Sequence, residues 1–118
     1  MATLPQSPLT TLGPGEFDDA VYDGENPCAV LFSRPGCAVC ARVRPVVEHV
    51  AAGLISDGGG WDFYAVDVER APDLVQRFAL AGVPQLLVFV DGELRARHAG
   101  EISAGELRVL LREASEEA

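Results

Sequence analysis

Apolar residues change their period several times along this chain, and each change marks an element. Met1 to Thr11 is polar and spotted with proline, and reads as a flexible arm ahead of a domain over residues 12–115. Phe17, Ala20 and Val21 then fall at helical spacing within Gly15–Asp23, which predicts a short first helix. The breakers from Asp23 to Pro27 end it. Cys28–Ser33 is apolar without alternation, as a strand covered on both faces requires. Beyond Gly36 the period lengthens. Val39, Val43, Val46, Val50 and Leu54 recur every three or four residues, the buried stripe of a helix that begins near Cys37. Pro45 lies inside that helix and withholds a backbone donor, so a kink is expected there. Ser56 to Gly60 reads as a flexible connector, because no lysine-bearing phosphate motif follows its glycines.

The second half alternates strands with helices in the same way. Trp61–Val68 alternates as a strand, and Pro72 opens a short helix that carries Leu74, Val75 and Phe78 inward. Gln85–Val90 is a second fully buried strand. Asp91-Gly92 turns the chain back through Leu94 to Arg97, with His98 on the face of Leu94 and Ala96. Ser103 and Glu106 have the spacing of a capping box, and Leu107, Leu110, Leu111 and Ala114 make the last helical stripe. The order predicts an α/β fold: a central mixed sheet, a βαβ unit first and a ββα unit last, with helices on both faces.

Composition narrows function more than fold. A length of 118 residues fits one domain, and 48% hydrophobic with 23% charged residues is ordinary for a soluble globular chain. Net charge is −9, and all nine basic residues are arginine. Without lysine there is no Schiff-base or P-loop chemistry, and the acidic balance argues against a nucleic-acid partner. No basic leader precedes Arg34, and the apolar runs Cys28–Phe32 and Leu86–Val90 fall far short of the roughly 20 residues a membrane helix needs. A cytoplasmic protein with no membrane partner is expected, its thiols reduced by default.

Three cysteines are too few for a disulfide scaffold. Cys37 and Cys40, three apart at a helix start, have Cβ atoms about 5–6 Å apart, close to disulfide reach. Cys37 meets the unpaired N–H groups of the helix end, which favour a thiolate, while Cys40 lies one turn in, sheltered beside Val39 and Val43. A free thiol of pKa about 8.5 is only about 3% thiolate at pH 7, whereas a value near 7 makes it about half. The nucleophile gains more than tenfold in population without becoming a poor attacker. A nucleophile with a sheltered resolving partner suits thiol–disulfide exchange; a plain structural thiol pair is the alternative. Zinc needs four ligands, so no metal is expected. Cys28 reads as a small buried hydrophobe. His49 and His98 read as packing or surface residues, and Asp67 and Glu69 as solvated or capping ones. Arg34 is a candidate modulator of Cys37, effective if its guanidinium comes within about 4–6 Å of the sulfur. Residues 1–33 carry five acids and no base, while 34–47 carry Arg34, Arg42 and Arg44 and no acid, a local +3 around the cysteines.

Phe32, the Cys37/Cys40 pair, Pro45, Val66 to Glu69, Pro72, Gly82-Val83-Pro84, Asp91 to Glu93, and Gly100 ahead of Ser103 to Leu107 together resemble the thioredoxin family. The match runs from about residue 9 to about residue 115. The resemblance implies a thioredoxin-like fold and a protein disulfide oxidoreductase that needs no cofactor. Cys37 would attack, Cys40 would resolve, and electrons would come from a thioredoxin reductase or another dithiol donor. It further implies that Pro84 is cis beside the disulfide, that the Val83 backbone pairs with a substrate strand, and that Gly36, Val83 and Gly100 line a shallow apolar groove. Several positions depart from the family. Gly36 replaces a tryptophan, Ala38-Val39 replaces Gly-Pro, and Gln85 replaces a threonine after the cis-proline. Leu31 stands for a buried acid and Ala65 for its lysine partner, two losses that go together because removing one would strand a buried charge. Two other readings share these residues: a thioredoxin-like binding module with little turnover, and a glutathione-linked glutaredoxin-like enzyme.

Overall fold

Five strands form one sheet in the computed structural model, which describes residues 7–116. In chain order they are β1 (Thr10–Thr11), β2 (Cys28–Ser33), β3 (Asp62–Asp67), β4 (Gln85–Val90) and β5 (Glu93–Ala99). Across the sheet the order is β1-β3-β2-β4-β5. β1, β3 and β2 run parallel, β4 runs against β2, and β5 against β4. Helices α1 (Ala38–Ser56) and α3 (Ala104–Glu116) cover one face. α2 (Pro72–Arg77) and a helical turn over Asp18–Tyr22 cover the other. The mixed sheet flanked by helices read from the sequence is the observed architecture.

The unbroken apolar run of β2 follows from its central place. Alternate residues point to opposite faces, so Ala29 and Leu31 enter a core with Val43, Val47, Leu86 and Leu107. Cys28, Val30 and Phe32 enter a second core with Phe17, Leu74, Leu87 and Phe89. β4 is buried along its whole length for the same reason.

Local chemistry sets the element ends. Asp91 (φ 54°) and Gly92 (φ 75°) are both left-handed, as a two-residue hairpin matched to the sheet twist requires. At α3 the Ser103 N–H donates to Glu106 Oε1 at 3.0 Å, and the Glu106 N–H donates to Ser103 Oγ at 3.1 Å. The Ser103 N–H, and after it the Ser103 hydroxyl, hold the Glu106 carboxyl below its usual range. Within α1, Pro45 leaves the Ala41 carbonyl without its helical donor.

Three expectations meet a different structure. Of the arm expected over residues 1–11, residues 1–6 lie outside the described residues; Leu9 is buried in the first core, and Thr10 and Thr11 pair with Tyr64 and Ala65. So short an edge strand has no periodicity to read. The first helix is a single wide turn: the Asp23 N–H bonds the Asp18 carbonyl, five residues back, at 3.3 Å. In the hairpin, Phe89 faces Leu94 while Val88 faces Ala96, so Arg95 is an inserted residue. The bulge turns Leu94 to the face of Phe89, away from Ala96 and His98, and breaks the alternation expected of that strand.

Candidate active site

The end of β2 releases the chain into Arg34-Pro35-Gly36, all exposed, with Gly36 in the left-handed region at φ 78°. Cys37 follows in an extended conformation and caps α1. A helix start needs an acceptor for its free N–H groups, a role usually taken by serine, threonine, aspartate or asparagine. Here the Cys37 sulfur takes it, accepting from the Cys40 N–H at 3.1 Å, while the Cys37 carbonyl accepts the first helical bond from Ala41. A disulfide joins Cys37 to Cys40 with Cα atoms 5.2 Å apart. Cys37 is half-buried and Cys40 is 5% exposed, so an incoming thiolate reaches the first sulfur and not the second.

The expected groove residues come to the same sheet edge through strand register. β4 opens where β2 ends: Gln85 pairs with Phe32 on one side and Ala99 on the other. That register brings the preceding Gly82-Val83-Pro84 beside the cysteine loop. The Val83–Pro84 bond is cis, Pro84 is buried and Val83 half-buried. The Gly100 N–H donates to the Pro84 carbonyl at 3.0 Å, with Gly100 left-handed at φ 86°. Among the described residues no hydrogen bond engages the Val83 N–H or carbonyl, which leaves both open to an added strand.

Leu31 and Ala65 are register partners across β2 and β3. Both are buried in the core that also holds Val43 and Val47 of α1. The two departures from the family pattern are therefore one contact, apolar on both sides, where a single replacement would have left a charge unpaired.

The local charge of +3 is largely paired. Arg42 Nε bonds Glu101 at 2.6 Å and Arg44 Nε bonds Glu48 at 3.4 Å. Arg34 is exposed and makes no ion pair or hydrogen bond among the described residues, so the Cys40 N–H, not Arg34, is the polar contact of the Cys37 sulfur. Cys28 opens β2 at the opposite edge of the sheet. Burial, followed by the charge of Asp62, pushes its thiol up to about 12. His49 is exposed; His98 Nε2 bonds the Glu101 carbonyl at 2.7 Å and braces the Gly100 loop. Asp67 Oδ1 accepts from the Glu69 N–H and caps the turn after β3. Among the described residues no three His, Cys, Asp or Glu side chains gather as a metal site would need, and no helix is long and apolar enough to cross a membrane. One feature of this edge has no counterpart in the sequence reading: Gln85, noted there as a replacement, is held by Arg97 of β5. Its only trace in the sequence is a polar residue opening an otherwise apolar strand.

The thioredoxin family's sequence profile matches residues 8–113. Thioredoxin 1 of Chlorobaculum tepidum is 33% identical over 92 residues, which cover 78% of this chain and 88% of that protein. Thioredoxin of Mycoplasmoides gallisepticum is 30% identical over 94 residues, covering 80% and 90%. Protein disulfide isomerase-like 2-2 of Oryza sativa subsp. japonica is 32% identical over 92 residues, covering 78% of this chain but 24% of its own length. Among solved structures, chloroplastic thioredoxin z superposes with a TM-score of 0.79 at 16% identity, over 92% of this chain and 95% of that one, a likeness of fold.

Proposed function

The chain belongs to the thioredoxin family and is a thiol–disulfide oxidoreductase, and we propose that Cys37 is its nucleophile, Cys40 its resolving thiol, and Gly36, Val83, Pro84 and Gly100 the groove that receives a protein substrate. The Cys37 thiolate attacks one sulfur of a substrate disulfide. The substrate S–S bond breaks, and its departing thiolate takes a proton from solvent. Cys40, deprotonated in turn, attacks the Cys37 sulfur of the mixed disulfide and expels the second substrate thiol. Two electrons have passed to the substrate, and the Cys37–Cys40 disulfide remains. A thioredoxin reductase or another dithiol donor then reduces that disulfide, returning Cys37 and Cys40 to thiols. A reducing compartment such as the cytoplasm suits a chain whose third cysteine, Cys28, is a free buried thiol.

The observation that carries this reading is the bond from the Cys40 N–H to the Cys37 sulfur at 3.1 Å. Once the disulfide opens, that donor and the helix end stabilise negative charge on the accessible sulfur. Insulin reduction with dithiothreitol tests the assignment. Cys37→Ser is expected to abolish turnover, and Cys40→Ser to accumulate a mixed disulfide with the substrate. Full activity in Cys37→Ser would overturn it.

A further inference from the structure

The connector between α2 and β4 presents Val83, and among the described residues no backbone hydrogen bond fixes it between Leu80 and Pro84. Ala79 sits at φ 52°, a conformation that an L-residue keeps only where its surroundings hold it. Backbone bonds close that turn, from the Ala79 N–H to the Gln76 carbonyl at 3.2 Å and from the Leu80 N–H to the Val75 carbonyl at 3.0 Å; beyond it, Gln85 supplies the hold. It is the one polar side chain buried among the described residues. Its Nε2 donates to the Gly82 carbonyl at 2.9 Å, and its Oε1 accepts from Arg97 Nη2 at 2.9 Å. The same Arg97 nitrogen donates to the Phe78 carbonyl at 2.9 Å. A guanidinium nitrogen carries two protons, so both bonds can form together. One arginine on β5 therefore ties both ends of the connector, Phe78 directly and Gly82 through Gln85. An apolar residue would fill position 85 without needing partners, whereas a buried amide must be satisfied. Here both of its halves are satisfied, on the segment next to the disulfide.

We propose that Gln85 and Arg97 are positioning residues for protein substrates: the Arg97–Gln85–Gly82 brace fixes the Val83 N–H and carbonyl in the orientation that pairs with an extended segment beside the substrate disulfide. The inference rests on the thiol–disulfide exchange assignment and adds a division of labour. A small disulfide needs only the Cys37 sulfur, whereas a protein strand needs Val83 as well.

Steady-state reduction of insulin and of a small aromatic disulfide, Ellman's reagent, tests this with the wild-type chain, Gln85→Leu, Gln85→Glu and Arg97→Met. Gln85→Glu keeps the shape and the acceptor for Arg97 but puts an oxygen where the donor to Gly82 stood. In all three variants KM for insulin is expected to rise about tenfold, the effect of one or two lost hydrogen bonds at a docking surface. The kcat for insulin and the rate with Ellman's reagent stay within about twofold, a split that general loss of stability would not produce. Arg97→Lys, which retains one donor group, guards against a variant that fails to fold, and its KM should lie between wild type and Arg97→Met. Unchanged insulin KM throughout, or equal losses on both substrates, overturns the proposal. A wild-type chain that reduces neither disulfide overturns the exchange assignment itself, and the proposal with it.

Discussion

Cys37 and Cys28 differ in nothing but surroundings. Cys37 stands at a helix N-terminus with an N–H aimed at its sulfur, while Cys28 is 1% exposed in an apolar core. In the protein with its Cys37–Cys40 disulfide intact, Cys28 should therefore make stability fall with alkali. Its ordinary value of 9.0 is pushed up to about 12 in the fold, so above 9.0 the unfolded chain sheds a proton that the folded one keeps. Its contribution is complete below 9.0 and is lost as pH rises towards about 12, at a slope approaching roughly 1.4 kcal/mol per pH unit. Urea unfolding from pH 8 to 11 should show that slope in the wild-type chain and a shallower one in Cys28→Ala; parallel curves would refute the account. Tyr64, also raised by burial and by Asp62, contributes equally to both chains except for its smaller dependence on Cys28. The placement of the cysteines was legible because both a strand and a helical stripe could be read around them. Arg42 was not, since its partner Glu101 lies 59 residues away, beyond any local charge count.

At the scale of elements, legibility followed the strength of local chemistry. The capping box of α3, Pro72 at the start of α2 and the Asp91-Gly92 turn are each satisfied by neighbours in sequence, and each stands where the pattern put it. The bulge at Arg95 and the pairing of Thr10 and Thr11 with β3 depend on strands brought from elsewhere, and no periodicity reports them. The hairpin offers a direct test. Gly92 is left-handed at φ 75°, and a Cβ there would stand 3.3 Å from the Tyr22 carbonyl oxygen. Gly92→Ala should destabilise the fold by about 1–2 kcal/mol from backbone conformation alone, with the tight contact adding to it. Gly105→Ala, in α3 with open space around the new methyl, should instead stabilise by about 0.4–1 kcal/mol. Paired denaturant titrations would show opposite shifts in midpoint. Shifts of the same sign would mean that these glycines are not distinguished by conformation.

Across the whole molecule, the sheet separates two apolar cores, and the cysteines are mounted where β2 leaves the sheet to begin α1. The core on the α1 side contains no ionisable side chain among its described members, Leu31 and Ala65 included. That composition has a consequence for how the site responds to pH. In the reduced protein, alkylation of Cys37 in the Cys40→Ser background should follow a single-proton curve, because no carboxylate beneath the site titrates along with it. Restoring the family's charges one at a time should show why both are missing. Leu31→Asp alone places a carboxyl opposite Ala65 with no cation to meet it, and should cost about 3–5 kcal/mol of stability. Ala65→Lys alone should cost about as much, for the same reason. If the aligned positions are physical partners, as the β2–β3 register places them, the double variant should recover stability relative to the sum of the two singles. Its Cys37 alkylation curve should also acquire a second titration from the new pair. Strict additivity of the two singles, measured by denaturant unfolding, would show that Leu31 and Ala65 do not form one coupled contact. A two-step alkylation curve in the Cys40→Ser parent would show that some other ionisable group already reaches the thiolate.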